Sequence, residues 1–304
     1  MTIPMIIDTD PGVDDAVALM LAAASPEARL LAVTTVFGNA EVEVTTGNAL
    51  RLRALAGLGA LPVGAGAARP LVYPRRPRAN CWHGSDGLGG RSDLLPAPDG
   101  PAHPLGAVTL MAGLLRDALR PVTLVAIGPL TNIALLLAVH PELRSRIERI
   151  VAMGGDLSWP GSGCTSVEFN IGSDPEAARR VLVEEDLPTT LVPLDLTRRA
   201  VVDRAWLSEL AAAGPRCATL AAIIEALAEQ RRKPVTLHDP VAVLEAAVPG
   251  TLRTTPISLR VVCDHGADRG SVGQHTGGRV VQVASEADLA SITGTILRRL
   301  RCLR

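Results

Sequence analysis

Through its first two thirds the chain alternates short apolar runs, ending in Gly, Asp or Asn, with longer stretches of helical period. Met5–Asp8, Leu30–Asn39, Pro62–Gly66, Val122–Gly128, Ile150–Gly155 and Thr190–Asp195 have the length and composition of buried strands, and amphipathic segments separate them. That rhythm predicts βαβ units: an α/β fold with a Rossmann-like core, its open, mainly parallel, doubly wound sheet covered by helices on both faces. A length of 304 residues suits one large domain or two small ones. The unbroken rhythm favours a single domain over 1–304.

One stretch departs from it. Residues 69–104 are rich in Pro, Gly and Arg and contain Asn80-Cys81-Trp82-His83-Gly84-Ser85-Asp86-Gly87. A loop that long inside a compact domain is usually functional or disordered, and its Trp and His suit a lid or site wall. A mobile surface excursion is the plainer alternative.

In a doubly wound sheet, a site is expected where strands end. The first predicted strand ends in Ile6-Ile7-Asp8-Thr9-Asp10-Pro11-Gly12-Val13-Asp14-Asp15, four aspartates within eight residues. Asp14 or Asp15 could serve as helix caps, since carboxylates are favoured in a first turn. Capping needs one such residue and gives no reason for Asp8 and Asp10 to join it. Carboxylates so crowded repel one another unless a cation, a proton or a substrate hydroxyl stabilises them. Oxygen donors without accompanying Cys or His point to Ca²⁺ or Mg²⁺.

Composition narrows the partners. A net charge of -1 gives no basic field for nucleic acid, and no polybasic patch faces a membrane. No apolar run reaches membrane-spanning length, and the first strand leaves no room for a signal peptide, so a cytoplasmic protein is expected. The five cysteines are scattered without a CxxC pair, which predicts neither a disulfide framework nor a zinc site.

Three later segments carry polar groups to predicted strand ends or helix starts. Val125–Asn132 is a strand breaking into a helix capped by Thr131, which leaves the Ile127 carbonyl free. Glu168-Phe169-Asn170 precedes Asp174-Pro175-Glu176, a helix start. His238-Asp239-Pro240 precedes an apolar helical run, with Asp239 a possible N-cap.

Together with Val33-Thr34-Thr35-Val36-Phe37-Gly38-Asn39, Gly128–Ala134 and Met153-Gly154-Gly155, these segments closely resemble the ordered motifs of the inosine-uridine preferring nucleoside hydrolases. The resemblance runs from Ile6 beyond Pro240. It implies Ca²⁺-dependent hydrolysis of the N-glycosidic bond of a small-molecule ribonucleoside, in a homodimer or homotetramer. Carried over position by position, Asp10, Asp15, Asp239 and the Ile127 carbonyl bind calcium. Asp10 is the general base for the attacking water, which Asn39 orients. Asp14, Glu168, Asn170 and Asp239 hold ribose hydroxyls, and Met153 lines the sugar pocket. His238 protonates the leaving base, with His83 near it, while Asp8 supports the loop.

The chain also departs from the family pattern. The asparagine expected shortly before Glu168 is missing from Gly161–Val167, and residues 229–237 bring no aromatic ring toward the base. Stacking then falls to Trp82, Phe169 or Tyr73, or to an arginine plane. Two other readings stay open: a phosphatase of the haloacid-dehalogenase type, which Asp8-Thr9-Asp10 resembles locally, and a nucleoside-binding protein without turnover. A hydrolase of a different N-riboside is a third.

Overall fold

A computed structural model describes residues 2–74, 83–157 and 167–303. Strands β1 (Ile3–Thr9), β2 (Ala28–Thr35), β3 (Val63–Ala65), β4 (Val122–Ala126), β5 (Ile147–Met153) and β6 (Thr189–Val192) occupy the six apolar runs. Several end before the predicted edge: Val36–Asn39, Ile127-Gly128 and Pro193–Asp195 leave the sheet and form the loops beyond it. All six strands pair in parallel, in the order β3-β2-β1-β4-β5-β6.

The apolar runs are near-continuous because both faces of the sheet are buried. On β4, Val125 packs with the helices Val13–Ala24 and His238–Ala247, whereas Leu124 and Ala126 face Ala107–Asp117 and Thr131–Val139. The Val13–Ala24 helix is buried from Val13 to Ala22. It is apolar nearly all round because it packs on four further helices, Val42–Ala56, Pro215–Arg231, His238–Ala247 and Leu289–Leu300.

The C-terminal strands lie outside the predicted set. After a short antiparallel ribbon of β7 (Val201–Val202) and β8 (Val235–Thr236), the strands β9 (Arg253–Val261), β10 (Val272–Gln274) and β11 (Val280–Glu286) extend the sheet to nine strands. β11 joins β6 in parallel and β9 runs antiparallel to both β11 and β10. Pro256 argues against a strand in the sequence. It is tolerated because β10 pairs only with Leu259–Val261, so Pro256 has a single neighbour, Gln282.

The described part of the long loop runs over the surface but is anchored in the core. Leu88 and Leu95 are buried in the core on either side of a 3₁₀ turn at Ser92–Leu94. Trp82 and the Gly161–Ser166 segment, both singled out in the sequence, lie outside the described residues.

The order reverses between β1 and β4, because the chain leaves β1 for β2 on one side and later returns to β4 on the other. Such a switch point opens a crevice at the carboxyl ends of the two strands. Asp10 follows one of them and Ile127 the other.

Candidate active site

At the end of β1 each aspartate is held differently. Asp8 accepts from the Thr34 hydroxyl (2.5 Å) and from Asn132 Nδ2 (2.8 Å), both on Oδ1. Asp15 accepts from the Thr9 hydroxyl (2.5 Å) and, through its other oxygen, from the Gly12 backbone N–H (2.8 Å). It therefore does cap the helix that follows, as the structural reading of the cluster allowed. Asp10 accepts from the Asn39 backbone N–H on Oδ2 (2.6 Å), while Asn39 Nδ2 donates to the Asp10 carbonyl (3.1 Å) and to Asp15 Oδ2 (3.3 Å).

Among the described residues, Asp10 Oδ1 and Asp8 Oδ2 are buried without a hydrogen-bond partner. Leaving such an atom dry is costly unless a cation or substrate meets it. The backbone makes room for the Asp10 carboxylate through two glycines. A Cβ on Gly128 would stand 2.7 Å from Asp10 Oδ1, and one on Gly38 would overlap Oδ2.

Single carboxylate oxygens of Asp14, Asp15 and Asp239, all buried, lie within 4.8 Å of one another. Asp14 thus joins Asp15 and Asp239 in one acidic group. Burial drives the pKa of Asp10 and Asp239 well above the carboxylate range, and the neighbouring aspartates add to it. Asp15 is raised to about 7 by burial and then by Asp14. A group of buried oxygen donors that resists ionisation suits a hard divalent cation.

The sign of the resulting pH dependence is fixed. A carboxyl whose folded pKa is raised favours folding while it stays protonated, fully below its unfolded pKa of 3.8, and loses that contribution as pH rises toward about 7. Without a divalent cation the protein should melt at a lower temperature at pH 8 than at pH 5. Millimolar calcium should abolish that drop, by neutralising the ionised cluster. Melting curves at both pH values, in chelator and in calcium, check it; a calcium-independent pH trend would contradict a cation site.

Across the crevice, Asn170 Nδ2 donates to the Ile127 carbonyl (3.1 Å), the Met153 carbonyl (3.2 Å) and Met153 Sδ (3.6 Å). The Ile127 carbonyl is therefore not free, although one lone pair remains. Thr131 is not the cap of its helix; its hydroxyl donates to Asp174 (2.7 Å), a fully buried side chain that also caps the Pro175 helix. Glu168 is buried and accepts three backbone N–H groups, from Asn170 (2.7 Å), Ile171 (2.9 Å) and Gly155 (3.0 Å). That clamp fixes the short Phe169–Ser173 helix against the end of β5. Asp239 is the second residue of its helix and not the N-cap.

These elements surround a cleft of about 440 Å³, within the ~300–1,000 Å³ range of small-molecule sites. Asp14, Asn39, Ile127, Met153, Glu168, Asn170 and Asp239 line one part, and His83 and His238 also reach it. Asp10 and Asp15 are not among the lining residues. Phe169 is the only aromatic ring in the described lining apart from the two histidines, and Arg198 and Arg231 complete the charged wall. Tyr73 is elsewhere: its ring packs edge-on against His265, under the Arg269 guanidinium. Arg232, the left-handed cap of the Pro215–Arg231 helix, does not line the cleft either.

Both histidine rings are held through Nδ1. The Val13 backbone N–H donates to His83 Nδ1 (3.0 Å), so the His83 proton sits on Nε2, which faces Asp14 Oδ1 at 3.5 Å. The Thr197 hydroxyl lies 2.8 Å from His238 Nδ1 and 3.3 Å from the Pro193 carbonyl. Burial lowers both pKa values; Arg198 and Arg231 lower that of His238 further, against the opposing pull of Asp14.

Several supporting residues escaped the sequence reading. Asn132 donates to Asp8 and to the Thr35 carbonyl and accepts from the Ala67 N–H, so one amide ties β1, β2 and the loop after β3. Its place in Gly128–Ala134 was a signal; its partners were not, because they lie 65 to 124 residues away. Thr9, Thr34 and Asp174 lie in the quoted segments as well, and only their partners were hidden.

Comparison with known proteins agrees with this geometry. The profile of the inosine-uridine preferring nucleoside hydrolases matches residues 5–293. A pyrimidine-specific ribonucleoside hydrolase, RihA, of an Enterobacter species is 38% identical over 301 residues, 97% of this chain and 90% of that protein. The RihA of Photobacterium profundum is 49% identical over 202 residues, 66% of this chain and 64% of the relative. In structure, a plant nucleoside hydrolase superposes with a TM-score of 0.90 at 28% identity, covering 99% of both chains. With the same ordered motifs at the switch point of the same sheet, the chain belongs to the inosine-uridine preferring nucleoside hydrolase family.

Proposed function

We propose that this nucleoside hydrolase cleaves pyrimidine ribonucleosides to ribose and free base, with one Ca²⁺ held by the buried carboxylates. The observation that carries the reading is the crowded acid group at the floor of a cleft whose wall bears His238. The pyrimidine preference rests on the two RihA relatives, which are more similar in sequence than the superposed plant enzyme.

Asp10, Asp15, Asp239 and the remaining lone pair of the Ile127 carbonyl would hold the cation, with Asp14 beside them. Bound there, calcium would supply fixed positions for a water and the ribose diol. Asp10 would take the proton of the attacking water, and the Asn39 amide, anchored to the Asp10 backbone, would orient that water. As the glycosidic bond breaks, positive charge grows on the ribose and negative charge on the base. Asp14, Asp239 and Glu168 face the first; His238 supplies a proton to the second. Asn170 positions the sugar from the opposite side through its hold on Ile127 and Met153. We further place the enzyme in the cytoplasm as a salvage activity and as a homodimer or homotetramer. The free cysteines Cys217, Cys263 and Cys302 fit a reducing compartment.

Release of reducing sugar from uridine, cytidine, inosine and adenosine tests the reading. Uridine and cytidine should be the best substrates; a preference for inosine would overturn the pyrimidine assignment. No turnover of any of them, with binding retained, would favour the nucleoside-binding alternative. Calcium at a hundred times its dissociation constant should stabilise the fold by about 2.7 kcal/mol, read as a raised melting temperature. No shift, with full activity in chelator, would remove calcium from the mechanism.

A further inference from the structure

The described lining of the cleft does not include Asn48, and nothing in the reaction scheme uses it, yet its side chain joins two parts of the site. It projects from the helix Val42–Ala56 and is almost fully buried. Its Nδ2 donates to the Pro11 carbonyl (3.2 Å) in the turn after β1 and to the Asp86 carbonyl (2.8 Å) in the loop that carries His83. An amide nitrogen has two protons, and each has one target.

The loop it holds has its own internal order. The Asp86 carboxylate accepts from the backbone N–H groups of Leu88 (2.9 Å), Gly90 (2.8 Å) and Ser92 (2.9 Å), which closes Asp86–Ser92 into a compact turn. Gly87 sits at φ +76°, and a Cβ there would approach the Pro11 carbonyl to 2.9 Å and Asn48 Nδ2 to 3.1 Å. The turn therefore docks closely on Pro11 and Asn48. Three residues before Asp86, His83 meets the Val13 N–H at the first residue of the helix. His83 is held by its own ring to Val13 and by its carbonyl to the Gly89 N–H (2.7 Å), and Asn48 ties the turn that carries Gly89 to Pro11.

We infer that Asn48 is a positioning residue that sets His83 against Asp14 and the leaving-group side of the cleft by strapping the Asp86 turn to the Pro11 turn. This rests on the proposed nucleoside hydrolysis for its catalytic readout. Asn48 acts through His83 and leaves the carboxylate cluster unaltered, since Asp10 and Asp15 are held by Asn39, Thr9 and Gly12.

A double-mutant cycle tests it. Steady-state kinetics on uridine with saturating calcium would be measured for wild type, Asn48→Ala, His83→Ala and the double variant. Asn48→Ala should lower kcat/KM by about tenfold, the loss expected when a supporting hydrogen-bond partner is removed. In the His83→Ala background the same change should cost less than about twofold, and the calcium concentration for half-maximal activity should stay that of wild type. Hydrogen exchange of 84–92 should quicken in Asn48→Ala while the melting temperature falls by only a few degrees. Full additivity of the two substitutions, wild-type activity in Asn48→Ala, or a shifted calcium requirement would each overturn the strap. If wild type turns over no nucleoside, the proposed function fails and the strap is decided by exchange alone: unchanged protection of 84–92 in Asn48→Ala refutes it. Gly87→Ala strains the same junction from the loop side and should reproduce the kinetic loss if Asn48→Ala does not fold.

Discussion

Asp10→Asn should cut kcat on uridine by about 10²–10⁴-fold, the range for loss of a general base, while the protein melts no lower than wild type. The two halves of that expectation come from the same burial. Asn keeps the shape of Asp and can accept the Asn39 N–H that now reaches Asp10 Oδ2 at 2.6 Å. It also removes one of the buried charges that raise the pKa of Asp239, so the cluster is less strained at neutral pH without a cation. It cannot, however, take a proton from water, and Oδ1, the atom without a partner, is where a proton or cation is needed. Activity falls while stability holds or rises, as expected where a destabilised group serves the chemistry. Asp8→Asn should cost far less activity, because both partners of Asp8 reach Oδ1 from Thr34 and Asn132, behind the turn. Kinetics and melting curves of the two variants side by side decide the matter; undiminished kcat in Asp10→Asn would exclude it as the base.

The chain made its parallel core legible because both faces of that sheet are buried. Runs such as Val122–Ala126, buried at every position, look alike in sequence and in space. The antiparallel edge was hidden for the opposite reason: β9 is exposed or half-exposed over most of its length and carries Pro256, so its strand character depends on β11 being there to pair with. At the site, the residues that carry charge or ring nitrogen were readable in ordered motifs, and Asp14, Asn39, His83, Met153, Glu168, Asn170, His238 and Asp239 all reach one cleft. What could not be read is which partner each polar group takes. Thr131 looks like a helix cap and instead serves Asp174; Glu168 looks like a loop acid and instead gathers three backbone donors. Such choices are settled by groups dozens of residues away, after the sheet has formed.

His238→Ala should slow uridine and cytidine by about 10²–10⁴-fold, as for a lost general acid, and should barely affect p-nitrophenyl riboside, whose leaving group departs without a proton. The geometry favours this because the Thr197 hydroxyl engages Nδ1 at 2.8 Å, which leaves Nε2 as the nitrogen available to the base. His83 cannot share the task in the same way, since the Val13 N–H occupies its Nδ1 and a second ring proton would collide with it. The competing arrangement uses charge instead of a proton. Burial and the nearby Arg198 and Arg231 keep His238 below its ordinary pKa, so at neutral pH the ring is mostly neutral and must gain its proton before it can give it. Arg231 lines the same wall and could stabilise the base as it leaves as an anion. Comparing kcat/KM for both kinds of substrate in His238→Ala and Arg231→Ala separates the two. A loss confined to nucleosides in His238→Ala identifies the acid. An equal loss on both substrates there, with the nucleoside-selective loss appearing in Arg231→Ala, would move the role to the arginine and leave the histidine as a wall of the pocket.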